Sequence, residues 1–162
     1  MDWLKLFIVK DLLGYFLQCT CCLVGICSVA KKRVQWLSLL ITSAMFALIV
    51  YLIKESGMFS FGVHTMLIIL IENLICIVMF KIEIRHTILG SLMVTAIVLA
   101  GELIDYTLLM PFFDKVQIDE LMKQPLSKAW IAVPGNILFS VIVIIAYIKR
   151  VIKGKKSDGE AG

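Results

Sequence analysis

The strongest constraint on this chain is a series of four or five apolar blocks, each about 18–25 residues long. An α-helix rises about 1.5 Å per residue, so a block of this length can cross the roughly 30 Å hydrocarbon core of a bilayer. Soluble domains hold about 25% charged residues, whereas this chain has 17% charged and 60% hydrophobic residues. The sequence therefore predicts an all-α, polytopic transmembrane helical bundle.

The blocks predict five spans, at about 5–29, 34–53, 63–81, 86–110 and 129–149. We expect one transmembrane helical domain over residues 1–149, followed by a basic polar cytoplasmic tail over 150–162. Pro134 and Gly135 interrupt the fifth block. A proline removes a helix hydrogen bond, so this helix is either kinked at these residues or begins near them.

The basic residues are distributed unevenly around the predicted spans. If the C-terminus is cytoplasmic, ten Lys and Arg residues lie inside and six lie outside. Because Lys and Arg accumulate in short cytoplasmic loops, this asymmetry predicts an outer N-terminus and an inner C-terminus. The same clusters, such as 31–33 and 149–156, lack the readout elements typical of nucleic-acid binding, so we expect no nucleic-acid partner.

Several ionisable residues lie inside the apolar blocks. Glu72 and Asn73 fall near the middle of the third span, where a bare carboxylate costs roughly 2.5–3.5 kcal/mol on insertion scales. Glu72 should therefore face the bundle interior, be protonated, or bond a partner. Glu102 and Asp105, three residues apart on the fourth span, share one helix face.

These positions predict a single polar pocket that opens outward. Its members would be Lys10, Asp11, His64, Glu72, Asn73, Glu102 and Asp105. Such a pocket could bind a ligand or a proton, or the same groups could provide interhelical hydrogen bonds that hold the bundle together. Both interpretations stay open at the level of the sequence.

We expect neither a metal site, nor a cofactor, nor an enzyme. Four of the five cysteines lie in CTCCLVGIC, residues 19–27, but Cys21 points about 160–200° away from Cys19 on a helix, so four ligands cannot converge. His64 and His86 belong to no triad pattern, and the chain contains no HExxH motif and no nucleophile elbow.

Residues 61–105, FGVHTMLIILIENLICIVMFKIEIRHTILGSLMVTAIVLAGELID, resemble part of a known family. The similarity is to the N-terminal membrane sensor region of Gram-positive GHKL sensor histidine kinases, the group that includes agr-type peptide-pheromone receptors. The motifs that support it are Phe61, Gly62, His64 and Thr65, then Lys81 and Arg85, then Glu102. The resemblance extends over residues 34–152, because LSKAW and ILFSVIVIIAYIKRVIK are similar to the final span that leads into the kinase.

The resemblance implies a multi-pass, sensor-like signalling module of the bacterial cytoplasmic membrane. It would detect an extracytoplasmic signal, such as an extracellular peptide, or modulate a partner in the membrane or cytoplasm, or a second copy of itself, within the lipid bilayer. The chain has no histidine after residue 86 and about a dozen residues after Arg150, so we expect the module to lack the kinase half. The alternative is a small substrate-binding or proton-coupled transport component that uses the intramembrane carboxylates, although inverted repeats are not evident.

Overall fold

The computed structural model describes residues 14–55, 61–124, 127 and 130–153. These residues are mostly helical, and none of them forms a strand. The helices are α1 (Leu17–Val29), α2 (Trp36–Glu55), α3 (Phe61–Phe80), α4 (Ile84–Leu109), α5 (Lys115–Lys123) and α6 (Val133–Tyr147), followed by the π-helical segment Ile148–Lys153. The predicted all-α helical bundle is confirmed.

In the part of the chain that the structure describes, four helices are long and apolar enough to cross a membrane: Trp36–Lys54, Val63–Phe80, Ile84–Leu109 and Val133–Val151. A shorter apolar helix covers Gly14–Val29, and the beginning of the predicted first span lies outside the described residues. The chain is therefore a helical membrane protein, and its environment is a lipid bilayer. The direction in which the bundle crosses the membrane stays a prediction.

The outer surface of the bundle is apolar, as lipid contact requires. Only 17% of the span in α3 is buried, and its Leu70 side chain is 66% exposed. On α4, Leu103 is 66% exposed. Lipid tails are as apolar as leucine, so these surfaces carry no penalty in a bilayer, and association between the helices depends on close packing and hydrogen bonds.

The short helix α1 lies at the centre of the bundle and packs against α2, α3, α4 and α6. Eight of its 13 residues are buried, because a helix that is hydrophobic on all sides can be enclosed on all sides. Glycines bring α4 close to it. An added Cβ at Gly25 would lie 2.5 Å from Cγ2 of Val94, and one at Gly90 would lie 3.0 Å from the Cα of Ile26.

The final span begins near Pro134 and Gly135, where the sequence predicted either a kink or the start of a helix. Helix α6 starts at Val133, with Pro134 in its first turn, after a turn at Ala132. The first amide groups of a helix have no partner within it, so proline costs little there. Residues 130 and 131 are also helical, so the helix is interrupted at Ala132, just before Pro134, and α6 begins after this interruption.

Candidate functional site

The Glu72 carboxyl group is buried between α3 and α4. Its side chain is 4% exposed, and the hydroxyl of Ser91 donates a hydrogen bond to its Oε2 atom at 3.3 Å. Only residues 81–83 separate α3 from α4, so the two helices run antiparallel as close neighbours. Residues at equal distances from this short connection consequently meet, which brings Ser91 to Glu72.

Helix α1 closes the other side of this carboxyl group. The thiol of Cys22 lies within hydrogen-bonding range of it. Even so, the buried Oε1 atom of Glu72 has no hydrogen bond of regular geometry with any described residue. One oxygen of a carboxyl group inside a membrane span is thus left with unused bonding capacity, which is costly unless a further group supplies a partner.

Asn73 adds a second acceptor of this kind. Its amide Nδ2 donates to the backbone oxygen of Ile69 at 2.7 Å, one turn back on α3. The Oδ1 atom is buried and has no partner among the described residues, as is also true of the Ser43 hydroxyl on α2. The Asn73 amide nitrogen is therefore bonded within α3, while the amide oxygen can still accept a hydrogen bond.

Side chains from four helices lie at a similar depth in the bundle. Counted from the end where residues 30–35 and 81–83 connect the helices, each lies seven or eight positions into its helix: Cys22, Ser43, Glu72 and Ser91. With Asn73 these residues make up what we call the polar layer. It contains a carboxyl group, an amide, two hydroxyls and a thiol, a set that can accept a proton or bind a small polar or cationic group.

Asp105 belongs to a second site, between α4 and α6. The side chain is 7% exposed, and the backbone N–H of Gly135 donates a hydrogen bond to its Oδ1 atom at 2.7 Å. Gly135 lies in the first turn of α6, whose N-cap residue Ala132 provides no side-chain cap. A carboxylate at a helix N-terminus satisfies a free amide and interacts favourably with the helix dipole. Asp105 therefore caps α6 from a neighbouring helix.

This contact, which we call the Asp105–Gly135 clasp, requires glycine. A Cβ on Gly135 would overlap the Asp105 carboxyl group, and one on Gly101 would lie 3.5 Å from the backbone oxygen of Gly135. Gly101 and Asp105 are four residues apart and face the same way on α4. Together they form the surface that receives the first turn of α6.

The structure separates residues that the sequence grouped in one pocket. Ser91, which bonds Glu72, and Asp105 are 14 residues apart on α4, or about 21 Å at the rise of an α-helix. Glu102 is exposed, and His64 is half-buried near the beginning of α3. Lys10 and Asp11 lie outside the described residues. Glu72 and Asp105 thus form two sites, and the partner of Glu72 is a serine that the sequence analysis did not select.

The five cysteines are free thiols, and four of them lie on α1. Cys21 contacts Ser140 on α6, with 3.2 Å between Sγ and Oγ. Among the described residues, no group of three or more His, Cys, Asp or Glu side chains is arranged to hold a metal ion. The polar layer and the clasp are the two sites that contain a buried carboxyl group among the described residues.

Fold and sites together define a helical membrane protein whose described residues include two buried carboxyl groups in different surroundings. No family model matches the chain, and no curated protein or solved structure matches it significantly.

Proposed function

We propose that the chain is a sensor-like signalling module of the cell membrane, which detects an extracytoplasmic signal or modulates a membrane partner. The observation that supports this most is the Asp105–Gly135 clasp, with its 2.7 Å hydrogen bond. In the predicted topology, the clasp lies toward the outer side. Helix α6 then crosses to the inner side and continues into the basic segment Ile148–Lys153.

The clasp can exist in two arrangements. Either Asp105 accepts the Gly135 N–H, or the first turn of α6 loses its cap and moves relative to α4. A signal that draws Asp105 away would shift α6 as a rigid element, in the manner of helix shifts in other switching proteins. Gly135 and Tyr147 are twelve positions apart, so the shift would be carried about 18 Å along the helix.

The resemblance to the membrane region of sensor histidine kinases agrees with this proposal, because the final span of that family leads to the signalling domain. A cytoplasmic or membrane protein, or a second copy of the chain, would receive the movement of α6. The extracytoplasmic signal could be a peptide. As part of the same proposal, the chain would be no enzyme and would act through contact alone.

Photo-crosslinking in native membranes tests the proposal. A photoreactive amino acid is introduced at Arg150, which is exposed in the π-helical segment that follows α6, in the full chain and in two variants. Asp105→Ala opens the clasp, whereas Glu102→Gln changes an exposed acid one turn away on the same helix. We expect a discrete crosslinked product whose yield changes at least threefold in Asp105→Ala and not in Glu102→Gln. The absence of any product, or equal yields in all three proteins, would contradict a signalling role.

The polar layer favours a second candidate, a proton-coupled or cation-coupled transport component. Its support is the pair of buried acceptors without partners, Oε1 of Glu72 and Oδ1 of Asn73, in the middle of a span. In sealed vesicles with a pH-sensitive dye inside, transport predicts a flux that Glu72→Gln abolishes and Glu102→Gln preserves. The signalling proposal predicts the same dye response for the wild type and Glu72→Gln.

A further inference from the structure

A cleft of about 410 Å³ opens at the end of the bundle where α1 passes into α2 and where α6 ends. It is lined by Arg33, Val34, Gln35, Trp36 and Tyr147. Tyr147 is buried and forms the floor, while the side chains of Arg33, Gln35 and Trp36 are exposed. The cleft therefore has a fixed base and a mouth made of polar and aromatic groups.

Direct contacts hold the base of the cleft together. The backbone N–H of Val34 donates to the hydroxyl oxygen of Tyr147 at 3.3 Å. The rings of Trp36 and Tyr147 meet edge to face, with 6.4 Å between their centroids, an arrangement that aromatic pairs prefer. These contacts hold the connection between α1 and α2 against the last turn of α6. The cleft between them is therefore already formed in the structure.

The surroundings of the cleft are strongly basic. Lys31 and Lys32 precede Arg33 and are exposed, and Lys149 and Arg150 follow Tyr147 closely and are also exposed. The first turn of α2 contains no acidic residue. Of the described residues at this end of the bundle, Glu83 is the acidic one, and it pairs with His86 at 3.4 Å. The charge of this region is complementary to an anion.

The position of the cleft indicates what kind of anion it would bind. Trp36 is the first residue of the apolar span Trp36–Lys54, so the cleft lies at the boundary between hydrocarbon and headgroups. The Trp36 side chain is 64% exposed, as is usual for tryptophans at that level. Leu40 lies one turn further along the same face of α2 and is 46% exposed. A molecule with its anionic group at Arg33 could therefore place an apolar chain along the exposed side chains of Trp36 and Leu40.

We infer that this cleft binds the headgroup phosphate of an anionic phospholipid. Arg33 and Gln35 donate hydrogen bonds to the phosphate oxygens, since a guanidinium group matches phosphate geometry. Trp36 and Leu40 contact the glycerol and the first part of an acyl chain. Basic pockets at the ends of transmembrane helices bind such headgroups. Salt screens the attraction between the basic residues and a lipid phosphate beyond about 10 Å, so only nearby lipids are attracted. The inference is independent of the signalling proposal.

Native mass spectrometry of the full chain in a neutral detergent tests this site by titration with phosphatidylglycerol. Arg33→Gln is compared with Arg85→Gln, since Arg85 is an exposed arginine at the same end of the bundle that does not line the cleft. Loss of one basic residue near the headgroups should weaken binding of the first lipid about fivefold. We expect this loss for Arg33→Gln and no more than a twofold change for Arg85→Gln.

Gln35→Ala is a second variant, useful if Arg33→Gln does not fold, and it should also weaken the first binding event. Equal affinities of the wild type and both cleft variants would overturn the inference. So would equal losses in the Arg33 and Arg85 variants, because these would indicate general attraction to a basic surface. If inorganic phosphate at 10-fold molar excess over the lipid displaces it, the cleft is a site for free phosphate and the lipid assignment is wrong.

Discussion

The two buried acids of this bundle, Glu72 and Asp105, differ in what they bond. Asp105 accepts a backbone N–H at 2.7 Å at the start of a helix, whereas Glu72 accepts a serine hydroxyl at 3.3 Å and keeps one oxygen without a regular partner. A backbone amide at a helix terminus is fixed, and the bond to it is short and charge-assisted. A serine hydroxyl can rotate. In the structure Asp105 uses this bond to hold two helices together, while Glu72 retains capacity for another group.

The difference also appears in the packing around each acid. Glycines at positions 101 and 135 let the backbones of α4 and α6 approach at the clasp. The Glu72 carboxyl group instead has the hydroxyl of Ser91 and the thiol of Cys22 as its neighbours. While the clasp is closed, the close backbone contact leaves no room for a ligand between α4 and α6, whereas the side chains of the polar layer can exchange hydrogen-bond partners. If this comparison is right, mutations at the clasp should affect stability more than mutations in the polar layer.

The largest effect is expected for Gly135→Val. The new side chain would overlap the Asp105 carboxyl group, so the clasp would open and α6 would separate from Gly101. Overpacking and the loss of a charge-assisted hydrogen bond together should lower the free energy of unfolding by about 3 kcal/mol. Unfolding of the reconstituted chain by a denaturing detergent measures this. Ala100→Val, at an exposed position of α4, is the matched control and should change stability little.

A smaller loss is expected when the acceptor at the clasp is removed. Asp105→Ala leaves the Gly135 amide uncapped and should cost about 2 kcal/mol, while Asp105→Asn keeps an acceptor oxygen and should cost about half as much. Hydrogen exchange of the amides in the first turn of α6 provides a local readout. If Ala and Asn substitutions destabilise the chain equally, the hydrogen bond to Gly135 is not what makes Asp105 important.

The smallest effects are expected in the polar layer. Ser91→Ala removes the donor to Glu72 and should cost about 0.6 kcal/mol, the average for hydrogen bonds between transmembrane helices. Glu72→Gln keeps a side chain of the same shape with an oxygen that can accept from Ser91, so we expect a change below about 1 kcal/mol. The same unfolding assay serves for both. A loss for Glu72→Gln as large as that for Asp105→Ala would mean that both acids are structural, and the contrast between the two sites would disappear.

The helix boundaries could largely be predicted from the sequence. The predicted third span, 63–81, compares with α3 at Phe61–Phe80, and the predicted fourth, 86–110, compares with α4 at Ile84–Leu109. The agreement arises because about 20 apolar residues are needed to cross the hydrocarbon core, so the ends of an apolar block indicate the ends of the helix. The second span shows a similar shift of two residues, from 34–53 to Trp36–Glu55.

The two sites could be predicted from the sequence only in part. Glu72 and Asp105 stood out because acids inside spans are costly, but their partners were not recognised: Ser91 was not selected, and Gly135 was selected only as part of a helix interruption. Counting residues from the short connection at 81–83 could have indicated Ser91, since antiparallel neighbours of equal depth meet. The cap on Gly135 could not be found in this way, because a long segment separates α4 from α6 and leaves their register open.

What the sequence determined alone was the class of the protein and the extent of its helices, because backbone groups in hydrocarbon must be satisfied within each segment. Only the tertiary structure decided that the short helix α1 lies at the centre and that the two buried acids belong to different sites. An apolar helix in lipid has no preferred face toward its neighbours, so its rotation and contacts depend on where glycines permit close approach and where hydrogen-bond partners meet.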